Sequence, residues 1–210
     1  MGGESSSDVK GSVNSARVSL VATGIAAKLS EAEKVARHLL LAAKNARATM
    51  ARAGSDAAGL KVISEYFSEL ANLTISLAKE INQTAFDITK VSVVEWRTRE
   101  FLHQLENAEE LVGSPFTGHL GNIKHQAKNS YDALSEESRD LMKELETLLT
   151  EIQNQMRAVG VVVITSRLEA SRTGAFEESL NNMADNIQEL SDKIKNRVNS
   201  SYSLLVNEIS

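Results

Sequence analysis

Residues 60 to 91 read LKVISEYFSELANLTISLAKEINQTAFDITKV, and this stretch decides the fold. Large apolar side chains recur in it at steps of three, four or seven residues. They stand at Leu60, Ile63, Phe67, Leu70, Leu77, Ile81, Ile88 and Val91. Such steps place the side chains on one face of an α-helix, in the heptad pattern of a coiled coil. The stretch therefore predicts a long helix that packs against other helices.

Three further stretches repeat this pattern. Their apolar positions are Leu29, Ala32, Ala36, Leu39, Ala43, Ala46 and Met50, then Leu134, Leu141, Leu145, Leu148, Ile152, Val159 and Val162, then Leu180, Met183, Ile187, Leu190, Ile194 and Leu204. Glycine and proline interrupt the helical pattern at residues 53–56, 113–121 and 173–174, and both residues end helices. Because short turns make neighbouring helices antiparallel, the predicted fold is all-α, an elongated up-down-up-down four-helix coiled-coil bundle.

The composition agrees with long helices and excludes several classes of function. There are one proline, 11 glycines and no cysteine, so neither a turn-rich sheet domain nor a disulfide framework is expected. The formal net charge of -5 comes from interspersed acidic and basic residues, which argues against a nucleic-acid partner. The aliphatic run of residues 159–164 is shorter than the roughly 20 residues that span a bilayer. We therefore expect a soluble chain without a signal peptide.

The two halves of the chain resemble one another in sequence. A shift of 120 residues without a gap superposes the first glycine turn on the last. The superposed pairs include Arg52 with Arg172, Gly54 with Gly174, Leu60 with Leu180, Ser64-Glu65 with Ala184-Asp185, and Phe67 with Ile187. This register predicts two duplicated helical hairpins. The predicted segments are a disordered tail (1–11), a first hairpin (12–112, tip near 53–59), a linker (113–121) and a second hairpin (122–210, tip near 173–176).

Both turns carry a recognisable pattern. The first contains Leu41-Ala42-Ala43-Lys44-Asn45-Ala46 and Met50-Ala51-Arg52-Ala53-Gly54, and the second Val161-Val162-Val163-Ile164 and Glu169-Ala170-Ser171-Arg172-Thr173-Gly174. These segments resemble the cytoplasmic signalling hairpin of bacterial methyl-accepting chemotaxis proteins, the chemoreceptors. The resemblance covers less than half of the chain. Thr49 and Ala175 replace glutamates of the family pattern, and Lys44 stands at an apolar position of the family.

The resemblance implies a set of interaction residues. In the family, the tip contacts other receptors, and apolar positions beside it bind the coupling protein CheW and the kinase CheA. The positions that carry over are Leu41, Arg52, Gly54, Val62, Val161, Ile164, Glu169, Arg172 and Gly174. The resemblance thus implies a cytoplasmic, non-enzymatic signalling protein, either a monomeric pseudo-dimer or a homo-oligomer, whose partners are receptors, CheA, CheW or further copies of itself.

Other readings stay open at this point. The chain could be a helical scaffold that has lost kinase coupling, because each tip lacks part of the family pattern. A chemotaxis phosphatase would need a carboxylate and an amide that orient water. Glu-x-x-Asn occurs at Glu69/Asn72, Glu151/Asn154 and Glu178/Asn181, as often as chance gives in such a composition. No metal or cofactor site is expected. Trp96 and Phe101 are expected to close the bundle end near Pro115, with a docking patch for another domain as the alternative.

Overall fold

The computed structural model describes residues 5–53, 58–172, 174 and 177–209, with their side chains at 17–52, 61–172, 174 and 177–207. The helices are α1 (Ser5–Ala53), α2 (Ala58–Val112), α3 (Gly118–Ala170) and α4 (Glu177–Ile209), and the described residues contain no strand. The prediction of an all-helical chain with four helices is confirmed.

Two boundaries differ from those that the sequence predicted. The helix α1 begins at Ser5, so residues 5–11, expected as a tail, are helical. Ser and Asp residues favour helix starts, and a long helix extends readily once it has formed. The connection between α2 and α3 spans only residues 113–117, because α3 begins at Gly118 within the predicted linker.

The four helices pack in a ring. Each contacts two neighbours, in the order α1, α2, α3, α4 and back to α1. The largest fully buried side chains are Ile25, Leu29, Leu39, Phe67, Ile81, Ile88, Leu145, Leu149, Ile152, Val159, Ile194 and Leu205. Most of these belong to the predicted seams, and every predicted seam position in α1 is buried. The apolar seams therefore face the axis of a four-helix bundle.

Polar contacts join the outer edges of neighbouring helices. The helix α3 is joined to α4 by Tyr202 Oη donating to Glu146 (3.3 Å), Gln153 donating to Asn199 (3.1 Å), and an Arg167–Asp185 ion pair (2.6 Å). The helix α1 is joined to α4 by Glu31 and Arg197 (2.9 Å), and to α2 by Arg47 and Glu65 (3.9 Å). In these three α3–α4 pairs, the residue number on α3 increases from 146 to 167 while the number on α4 decreases from 202 to 185.

Equivalent positions in the two halves of the chain have matching burial. Every residue from 31 to 50 is buried, half-buried or exposed in the same way as the residue 120 positions later. The cross-helix ion pairs Arg47–Glu65 and Arg167–Asp185 also fall on one another under this shift. The shift that the sequence suggested therefore relates equivalent positions of the folded chain.

The connection between α2 and α3 is held by one carboxylate. Glu109 accepts hydrogen bonds from the backbone N–H of Phe116 (2.8 Å) and from Lys124 Nζ (2.5 Å). The bond from Lys124, followed by that from Phe116, lowers the pKa of Glu109 below its ordinary value. Both bonds favour the charged form. The Glu109 carboxylate thus joins the end of α2 to the connecting turn and to the start of α3.

We expect the core to tolerate truncation far less than the outer face of the same helix. Leu149 is fully buried on α3, so Leu149→Ala should lower the free energy of unfolding by about 2 to 5 kcal/mol, through lost burial and the cavity left behind. Leu168→Ala, at an exposed leucine of α3, is the control and should change it by less than about 0.5 kcal/mol. Urea unfolding followed by circular dichroism measures both, and equal losses would contradict this packing.

Glu109 should also make stability depend on pH. Because its pKa is lowered by folding, its contribution is complete above the ordinary pKa of glutamate and is lost as the pH falls through the lowered value. In Lys124→Met the pKa of Glu109 should return toward its ordinary value, as measured by carboxyl-carbon NMR titration. Lys128→Met, one turn further along α3, should leave it unchanged. The same pKa in both variants would show that Lys124 is not the cause.

Candidate functional site

The second tip is shaped by a glycine. Gly174 has a φ of 56°, in the left-handed region, which glycine adopts without steric cost. Before it, the backbone N–H of Ser171 donates to the carbonyl of Arg167 and that of Arg172 to the carbonyl of Glu169, each at 3.1 Å. These bonds close the end of α3. Gly54, the equivalent residue of the first tip, lies outside the described residues.

A row of apolar side chains is exposed on α3 beside this tip. Val161, Ile164 and Leu168 are 69%, 67% and 58% exposed, although all three are large and apolar. Their spacing of three and four residues places them on one helical face. We call these three residues the α3 stripe. Exposed apolar side chains that are contiguous commonly mark a protein-interaction surface.

The stripe is not needed to fill the core. Within the same segment, Val159 and Val163 are buried and supply the inward face of α3. The helix therefore has apolar side chains on opposite faces, and only one of these faces packs against the other helices. Exposed aliphatic side chains add little to the stability of the bundle, because they remain in contact with water. We therefore interpret the stripe as a functional surface.

Charged groups frame the stripe at both ends. Arg157 precedes it and donates to Asn154 Oδ1 (3.3 Å), while Arg172 follows it and pairs with Glu169 (2.9 Å). On the side of α4, Arg167 pairs with Asp185 at 2.6 Å. Such exposed pairs contribute little to stability. Their guanidinium and carboxylate groups remain available to a polar rim around an apolar contact.

The equivalent face of the first half has a different chemistry. The positions 120 residues before the stripe are Leu41, Lys44 and Ala48, all exposed on α1. A lysine and an alanine thus replace two of the three large apolar side chains. Since α1 and α3 stand opposite in the ring, the two faces point to different sides of the bundle.

The structure brings some of the predicted residues together and separates others. Val161 and Ile164 share the stripe, and Glu169, Arg172 and Gly174 lie at the tip beside it. The other predicted residues described are exposed elsewhere: Leu41 on α1, Arg52 in the last turn of α1, and Val62 on α2.

Leu168 was missed by the sequence reading. It lies seven residues after Val161 and four after Ile164, so the helical period alone could have included it.

The stripe has to be interpreted from its own chemistry. No protein family, curated protein or solved structure matches this chain significantly. Within the described residues, no helix combines the length and the apolar character that crossing a membrane requires.

Glycine at the tip should be required by its backbone conformation. Gly174→Ala places a side chain in the left-handed region and should lower the free energy of unfolding by roughly 1 kcal/mol. Gly160→Ala is the matched control, because Gly160 lies inside α3 and an added methyl group would meet no atom within 4 Å. That change should instead stabilise the helix by about 0.5 to 1 kcal/mol. Urea unfolding of both variants checks the opposite signs, and stabilisation by Gly174→Ala would contradict the turn geometry.

Proposed function

We propose that this chain is a non-enzymatic, chemoreceptor-like signalling bundle that presents its tip region to a CheA–CheW type kinase complex or to receptors. The observation that carries the proposal is the α3 stripe, three large apolar side chains exposed together beside a tip. The resemblance of both turns to the chemoreceptor hairpin supports the choice of partner. In that family, the apolar positions beside the tip bind the coupling protein and the kinase.

The proposal includes a finer architecture than a ring of four helices. In it, the helices run antiparallel as up-down-up-down, in two duplicated hairpins with both tips at one end. The falling and rising numbers of the α3–α4 pairs support this arrangement, from Glu146–Tyr202 to Arg167–Asp185. The recurring order of buried and exposed residues supports the duplication. A single chain would then supply the bundle that a receptor dimer builds from two chains.

The energetics favour a modest, reversible contact. Burying one side chain of the size of Val161, Ile164 or Leu168 stabilises a complex by about 1.5 to 3 kcal/mol. Three such side chains cover less than the ~800 Å² per partner of a standard interface. The stripe would therefore form the apolar centre of the contact, while the charged groups of Arg157, Arg172 and Asp185 would form its rim.

The difference between the halves supports the second half as the site of the contact. Lys44 occupies the position equivalent to Ile164, and a lysine ammonium group loses hydration when it is buried in an apolar contact. The first half would thus serve the bundle structurally. The replacement of an apolar residue by Lys44 also favours the second candidate function, a scaffold without kinase coupling. In that function, the stripe binds another copy of the chain.

An exchange of residues between the halves tests the proposal. Binding to purified CheA and CheW is measured by pull-down and kinase assay for the unmodified chain, Ile164→Lys and Lys44→Ile. We expect Ile164→Lys to weaken binding by about tenfold or more, since a buried apolar contact becomes a buried charge. Lys44→Ile should leave it intact or strengthen it. Arg172→Glu should weaken binding less, because it changes only the rim.

Two controls make the result specific. Val93→Lys replaces an exposed valine of α2 away from the tip and should leave binding unchanged. Circular dichroism should show the same helix content and thermal midpoint in every variant. Failure of the unmodified chain to bind CheA or CheW, with self-association that Ile164→Lys abolishes, would replace the proposal by the scaffold function.

A further inference from the structure

All four helices contribute a small residue to one layer of the bundle near the tips. These residues are Ala46 of α1, Ser64 of α2, Ser166 of α3 and Ala184 of α4, and all are buried. They line a cavity, partly open to the surface, that leaves about 20 Å³ for the centre of a water-sized sphere. Larger side chains, Met50, Ile63, Phe67, Leu180, Met183 and Ile187, line the rest. The cavity exists because no large side chain enters this layer.

The two serines of the layer are buried in an unusual way. Ser64 is 1% and Ser166 is 6% exposed, and neither Oγ has a hydrogen-bond partner among the described residues. A buried hydroxyl without a partner is costly. Inside a helix, serine commonly meets this need by donating to the carbonyl four residues earlier.

Several other buried hydroxyls of this bundle follow that rule. Ser191 Oγ donates to the carbonyl of Ile187 at 2.8 Å, and Ser201 Oγ donates to that of Arg197 at 2.9 Å. Thr74 bonds the carbonyl of Leu70 in the same way, at 2.8 Å. Ser92 Oγ is also buried without a partner in the described part of the chain, but of these three serines only Ser64 and Ser166 line the cavity.

We infer that this layer is an internal water site, in which one water molecule bonds the hydroxyls of both Ser64 and Ser166. The space is sufficient, because a water needs about 10 to 15 Å³ by this measure. Each hydroxyl can donate one hydrogen bond and accept two, so two serines supply the minimum of two partners that a buried water requires. The inference is independent of the proposed function, since it rests on the core alone.

The site coincides with a division of the core. A small apolar cluster of Ala46, Met50, Ala170 and Leu180 lies on the tip side, and the main core continues from Ala43, Phe67, Val163 and Ala184. The layer lies where the two clusters meet, since Ala46 belongs to the tip cluster and Ala184 to the main core. Ile63 packs against both clusters, so the tip cluster and the trunk are joined beside the water site.

Water-selective NMR tests the site in the intact chain. We expect cross-relaxation between a long-lived water and the Ser64 and Ser166 β-protons, and a crystal structure should place that water within hydrogen-bond distance of both Oγ atoms. In the double variant Ser64→Ala/Ser166→Ala, no cross-relaxation should appear between a long-lived water and the alanine β-protons at positions 64 and 166. The Ser64 and Ser166 signals should persist in Ser191→Ala, the matched control, which removes a buried hydroxyl that already has a backbone partner.

One result would overturn the inference. A dry cavity in the unmodified chain, with the serine hydroxyls turned toward the carbonyls of Leu60 and Val162, would show that the layer meets its own hydrogen-bonding needs. Should the double variant unfold, Ser166→Ala alone decides the matter. It removes one of the two partners, so the cross-relaxation at the Ser64 β-protons should weaken at least about twofold. An unchanged signal would contradict the bridging site.

Discussion

Burial of one narrow seam per helix is the interaction on which the rest of this structure depends. A helix of this kind is not stable alone in water, because most helical stability in proteins comes from packing an amphipathic face. Here α1 contributes mainly alanines, such as Ala32, Ala36 and Ala43, while α2 and α3 contribute larger side chains. The small residues let the helices approach, and the large ones fill the axis. The outer faces are thereby left free to vary.

Heptad periodicity predicted the four helices and the buried seam of α1, but in α3 and α4 it named Leu148, Val162 and Leu204 where the adjacent Leu149, Val163 and Leu205 are the buried residues. It could not predict which outer-face residues pair across helices, because a period gives the direction of a side chain and not the identity of its neighbour. Arg47–Glu65 and Arg167–Asp185 illustrate this limit, although the shift of 120 residues had already matched Glu65 with Asp185. The exposure of Val161 and Ile164 is the part of the site that the helical period does explain.

The expectation for the aromatic residues was wrong, and the reason is geometric. Trp96 and Phe101 were expected to close the bundle end, but they are 45% and 43% exposed. The inward positions of α2 at this level are already taken by Ser92 and Glu95, which are buried. A helix turns by about 100° per residue, so one side chain cannot join a seam that its neighbours occupy. Aromatic character alone did not decide burial.

The two halves show how one backbone pattern can carry different chemistry. Burial repeats residue by residue because it follows from the seam, which both halves must keep in order to pack. Exposed positions carry no such constraint, and there Ile164 corresponds to Lys44. The layer of small residues that contains Ser64 and Ser166 lies inside the bundle, and no large side chain fills it. The tip cluster meets the trunk at this layer, and Ile63, which lines the cavity, packs against both parts of the core.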